Sequence, residues 1–205
     1  MSPRLELDLR PFIGLGELSL DSDAGRVVCD FYAMTAAIST EGFEAGLRNL
    51  VQGLDTHRPP TEVIAAVAQH LTREITGLKA DILRKAVQET MLDAAGLGYG
   101  PEELNVKIGL EKFLRKRGAT GLLELFVSSY VFNTLWIRIQ EGVRAKSGSR
   151  SLSKSMLDMQ RFCTAVVRSV VAEWQTDGKL EALATKKRLA AAFMKAIEAR
   201  LLEDS

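Results

Sequence analysis

The stretch from Thr120 to Ala145 constrains the fold more than any other part of this chain. Leu122, Leu123, Leu125, Phe126, Val127, Tyr130, Val131, Phe132, Leu135, Trp136 and Ile137 put apolar side chains on nearly every side of a helix. A helix of that kind must be surrounded by other elements. Its uncharged part, Leu125 to Ile137, lies between Glu124 and Arg138 and is 13 residues long. A spanning helix needs roughly 20 residues, so the segment reads as the buried centre of a helical bundle.

The elements before it carry their own punctuation. Leu5, Leu7 and Leu9 alternate with Glu6, Asp8 and Arg10, and Pro11, Gly14 and Gly16 follow, so residues 1–20 read as a short strand or extended arm. No apolar leader core forms there. Asp21 to Gly25 supplies turn and cap residues. Val27, Val28, Phe31, Met34, Thr35 and Ile38 then recur at helical spacing, while Val27-Val28-Cys29-Asp30-Phe31-Tyr32 also suits a strand. Thr40 is placed to cap a helix carrying Phe43, Leu47, Leu50, Val51 and Leu54 on one face. Pro59 and Pro60 force a break. From Thr61 to Ala95 the apolar period predicts one long helix or two, with Gly77 as the joint. Gly96 to Gly100 ends that element. Pro101 opens a helix that Arg115-Lys116-Arg117 and Gly118 close.

Beyond the central segment, residues 146–155 form a serine-rich basic linker. Leu152, Met156, Met159, Cys163, Val166, Val170 and Trp174 then step by threes and fours, as do Leu180, Leu183, Lys187, Ala190, Met194, Ile197 and Leu201 after the turn Gln175 to Gly178. Two such heptad seams joined by a turn predict an antiparallel helical hairpin over about 152–202. The expected architecture is a single all-α domain: an arm (1–20), a helical core (21–145), the linker, and the hairpin packed on the core or on a partner. The seam residues Leu180, Leu183, Ala190, Met194, Ile197 and Leu201 are the candidate interface.

Charge is unevenly distributed. Residues 1–106 hold 9 Lys/Arg against 16 Asp/Glu, and residues 107–205 hold 18 against 10, a balance of −7 and +8. Such halves attract each other, within one chain or head to tail between chains, or the basic half meets an acidic partner. The candidate contact residues are Arg115, Lys116 and Arg117, then Arg144, Lys146, Arg150 and Lys154, then Lys186, Lys187 and Arg188. Serines beside the middle cluster suit phosphate contacts, but aromatics for base stacking are missing there.

Catalytic constellations are poorly supplied. Gly148 to Ser155 follows the phosphate-loop spacing, but Ser153 replaces the second glycine and a helix stands where a strand belongs. His57 has no evident partner, and His70 shares a helix face with Glu74 alone. Cys29 lacks an activating histidine, and Cys163 sits on a heptad seam, where a thiol is buried and inert. Two cysteines in apolar stretches suit a reducing compartment. We therefore expect no catalytic residues, cofactor or metal, and a cytoplasmic helical interaction or adaptor subunit. A nucleic-acid-binding subunit is the alternative, and an enzyme with an unidentified site between helices the third.

Overall fold

The computed structural model describes residues 22–50, 54–55, 58–96 and 106–204; within these, the side chains of residues 22, 49, 138, 141–152 and 187 are not described. The described chain is helical throughout its regular structure: α1 (Ser22–Glu41), α2 (Phe43–Leu50), α3 (Pro60–Leu71), α4 (Gly77–Ala95), α5 (Val106–Thr176), a short 3-10 turn (Glu181–Ala184) and α6 (Lys187–Asp204). The N-terminal arm, His57 and the Gly-rich stretch 97–100 lie outside the described residues.

Residues 26–32 are helix, not strand. Val27, Val28 and Phe31 are fully buried, and a 3.6-residue period puts them on one stripe, which outweighs their β preference. The helix already includes Ser22 to Gly25, which the sequence suggests as a turn. Gly25 is needed there because a Cβ would lie 3.1 Å from the Ala191 backbone of α6. Thr40 is not a cap, since α1 runs on to Glu41 and the Thr40 hydroxyl donates to the Ala36 carbonyl. Gly42, at φ 88°, turns the chain. The Glu111 carboxylate instead accepts the N–H of Phe43, the first residue of α2, at 3.4 Å. Gly77 does mark a joint, at φ 70°, between α3 and α4. Gly96, at φ 76°, ends α4.

The helical run α5 cannot be one straight rod. Arg168 Nε donates to Glu124 Oε1 at 2.9 Å although the two are 44 residues apart. At 1.5 Å per residue a straight helix would separate them by about 66 Å. The chain therefore doubles back between these two residues, and residues 146–155, expected as a linker, are helix. We call 106–140 the first limb and 153–176 the second. Gly118, at φ 66°, interrupts the first limb at the stop the sequence predicts.

The core joins all these elements. Phe31 of α1 meets Phe126 of the first limb with ring centroids 4.5 Å apart, and Trp174 of the second limb meets Phe193 of α6 edge-on at 5.1 Å. The turn after Thr176 has Gly178 at φ 66° and the Lys179 N–H bonded to the Trp174 carbonyl. Arg200 then reaches back to Glu173 at 2.8 Å and to Ser169 at 3.2 Å, so α6 returns along the second limb. The α6 helix begins at Lys187 rather than Leu180, because a 3-10 turn occupies 181–184.

Gly109 is the tightest helix approach. A Cβ there would collide with the backbone carbonyl of Ala95, which cannot move without unwinding the end of α4. Gly109→Ala should lower the free energy of unfolding in urea by about 1–3 kcal/mol, the usual cost of overpacking. Gly25→Ala, whose Cβ would be only slightly compressed, should cost less.

Candidate functional site

The central segment is buried around most of its circumference, with Leu122, Glu124, Ser128, Asn133 and Leu135 at most 8% exposed. Phe126, Val127, Tyr130 and Val131 are at most 2% exposed, whereas Leu125, Phe132 and Trp136 are half-buried. A helix advances about 100° per residue. With Glu124 at zero, Phe132, Leu125 and Trp136 fall at about 80–120°, and Ser129 and Asn133 at about 140–180°. The strip is flanked on both sides by polar contacts to other helices. Phe132 and Trp136, one turn apart, stack with centroids 6.0 Å apart and planes 15° apart. The expectation of neighbours around this helix holds except along that half-buried strip. An apolar circumference in sequence does not say which arc the fold leaves wet.

On one side the strip meets α4. Glu89 accepts from the Ser129 hydroxyl at 2.7 Å and from Asn133 Nδ2 at 2.9 Å, and Asn133 also donates to Ser129 at 3.1 Å. Lys85 lies 3.7 Å from the same carboxylate. One turn on, desolvation and then the Glu89 charge raise the Asp93 carboxyl above the usual aspartate range. Leu78, Asp81 and Asp93 occupy the same outward arc of α4 as Glu89, within about 120°, with Lys85 as the one cation among these three carboxylates. Asp81 also pairs with Arg84 at 2.8 Å. Leu78 is 61% exposed. This edge is acidic.

On the other side the strip meets the second limb at Glu124. That carboxylate is held by Arg168 at 2.9 Å and by Arg117 at 3.5 Å, and Arg117 also lies over the Phe113 ring at 5.5 Å. Lys154, Leu157, Arg161 and Arg168 share an arc of about 60° on the second limb and are all exposed. This edge is basic. Trp136 and Met156 lie twelve residues from Glu124 and Arg168 toward the reversal, and so sit at one level, about 18 Å away. Met156 and Leu157 are 42% and 44% exposed. Met156 continues the buried stripe of Met159, Cys163, Val166 and Val170 past its cover.

The residues singled out in the sequence separate into groups. Arg115, Lys116 and Arg117 are exposed before Gly118, and Glu124 brings Arg117 to Arg168, a residue the sequence reading did not select. Lys154, Lys186 and Arg188 are exposed. The side chains of Arg144, Lys146, Arg150 and Lys187 lie outside the described residues. The seam residues Leu180, Leu183, Ala190, Met194, Ile197 and Leu201 are 0–2% exposed in the chain by itself. That seam is occupied by the protein's own core, with α6 crossing α1 at Gly25, so it offers no surface to another chain. Heptad spacing alone does not distinguish an intramolecular partner from an external one. Of the ion pairs described, Lys107–Glu44 at 2.8 Å joins the acidic and basic halves.

The other chemical candidates change too. His70 and Glu74 do not share a helix face, because α3 ends at Leu71 and Glu74 pairs with Arg26 of α1. Burial, followed by the Arg73 charge, lowers the His70 pKa against the opposing effect of Asp30. Among the described residues no three His, Cys, Asp or Glu side chains group to hold a metal, and no helix is long and apolar enough to cross a membrane. Cys29 and Cys163 are free and buried. Burial pushes the Cys163 thiol up to about 12.

Two stability tests follow from these edges. Glu124→Ala should cost about 1–2 kcal/mol in urea unfolding, less than a fully buried pair, because both guanidiniums keep access to water. Asp93, raised in the folded state, binds its proton more tightly there than in the unfolded chain. Stability should therefore fall as pH rises from the unfolded to the folded value. Asp93→Asn should flatten that fall and stabilise the protein at neutral pH, as pH-dependent melting curves would record.

No protein-family model, curated protein or solved structure matches the chain, so its surface is the basis for a functional reading.

Proposed function

We propose that this chain is a non-catalytic helical interaction subunit that works by self-association or by docking to a larger protein. The observation that carries this reading is the three-banded face: acidic α4, the half-buried strip Leu125/Phe132/Trp136, and the basic edge Lys154/Arg161/Arg168. Apolar groups rimmed by charge are the usual anatomy of a protein–protein contact. Trp and Arg are the residues that most often anchor one. Leu157 in the middle of the basic edge fits the same reading, since phosphate contact alone needs no leucine.

One observation favours nucleic-acid binding as a second reading. The Arg115–Arg117 cluster and the isolated Arg168, far apart in sequence, meet at Glu124. A continuous basic edge is what backbone phosphates require, and such binding weakens steeply with salt.

A photo-crosslinking residue at Leu157, with a control at exposed Lys195 of α6, separates these outcomes in cells that make the protein. The interaction reading expects a protein adduct of defined mass at 157 and none at 195. A nucleic-acid adduct at 157 would favour the second reading. Equal background at both positions would remove this face from consideration.

A further inference from the structure

The order of the bands has a symmetry that a general docking surface does not need. Acid, aromatic strip and base run in that order across three neighbouring helices. Turning a second copy over by a two-fold rotation about the direction of the first limb exchanges left and right. Each acidic edge then faces a basic edge, and strip faces strip. A two-fold across the limb would instead set acid on acid and base on base. An isologous dimer needs a self-complementary patch, and the band order supplies one for the parallel two-fold alone.

We propose that the chain forms a parallel two-fold homodimer through this face, with Phe132 and Trp136 near the axis. This rests on the interaction reading above and names the partner as a second copy. The levels agree along the helices as well as across them. Arg161 and Lys154 stand beside Phe132 and Trp136 by their distance from Arg168, and Glu89 is fixed at the same level through Ser129 and Asn133. A rotation about the limb preserves level, so Arg161 comes opposite the partner copy's α4 near Glu89. Asp93, already raised by desolvation and then by Glu89, would gain a cation nearby. The contact is small. Three helices at the usual 8–10 Å spacing and a strip of about 17 Å give on the order of 400 Å² per copy. That is the weak, salt-sensitive end of specific interfaces, so association belongs at micromolar concentrations or above.

Charge reversal tests this with a built-in rescue. Lys154→Glu with Arg161→Glu makes both outer bands acidic, and Asp81→Lys with Asp93→Lys reverses the acidic edge. All four positions are exposed and lie outside the Glu124 and Glu89 hydrogen bonds, while Asp81→Lys gives up an exposed pair with Arg84 of the same helix. By light scattering across concentration, the unmodified chain should approach twice the monomer mass, with dimerisation weakening about tenfold or more between low and high salt. Each reversed protein should remain a monomer, and an equimolar mixture of the two should recover the dimer mass. Leu125→Cys should form a disulfide with its own copy, whereas Lys195→Cys should not. A chain that stays monomeric throughout, a dimer indifferent to both reversals, or reversed proteins that fail to rescue each other would overturn the proposal. If the chain is monomeric yet Leu157 still crosslinks to a different protein, the dimer is lost and the interaction reading survives. Loss of both results would reject both.

Discussion

The ion pair between Arg168 and Glu124 marks the event on which the rest of the architecture depends: the folding back of α5 on itself. Glu124 is 8% exposed, and a carboxylate so shielded is costly without a partner. Arg168 supplies the partner from 44 residues away, and Arg117 adds a second donor across the break at Gly118. With the limbs antiparallel, Phe162, Val166 and Val170 close over the core that Phe126 and Val127 open toward α1. The return of the second limb delivers Trp174 to Phe193 and so brings α6 onto α1. Removing the carboxylate therefore loosens a junction of three segments, even though its individual contribution is modest.

Much of this was legible in the sequence because it depends on local rules. Period and punctuation identify the helices. Glycines stop or joint them at 77, 96, 118 and 178, whereas the polar stretch 146–155, which reads as a linker, is helix. What was not legible depends on which surfaces meet. The α6 seam reads the same whether its partner is α1 of the same chain or another molecule, and only Gly25, with room for the Ala190–Ala191 backbone, hints at the answer. Thr40 looked like a cap because Glu41 and Glu44 follow it, but the side chain that satisfies Phe43 comes from Glu111, 68 residues on.

The candidate face was less legible than the fold. The sequence reading selected Lys154 and Arg117, as members of clusters, and missed Arg161 and Arg168, which stand alone in sequence at seven-residue intervals. A search for charges repeating every seven residues on an otherwise apolar-periodic helix would have found them. The acidic edge was invisible for a different reason. Asp81, Glu89 and Asp93 look like ordinary solvated positions on α4 until Ser129 and Asn133 fix which side of the first limb α4 occupies. The open strip itself follows from where α4 and the second limb sit.

Burial of the two thiols makes the protein a reporter of its own motions. Cys163 is fully shielded in the second limb, and its thiol is held up to about 12, so almost no reactive thiolate exists while the limbs are closed. Alkylation at that sulfur must wait for the doubled-back run to part. The rate at which a thiol reagent consumes Cys163 thus becomes a clock for separation of the limbs, while Cys29 keeps separate time for α1. Comparing the two clocks would tell whether this protein opens as one cooperative body or by hinging first at α5.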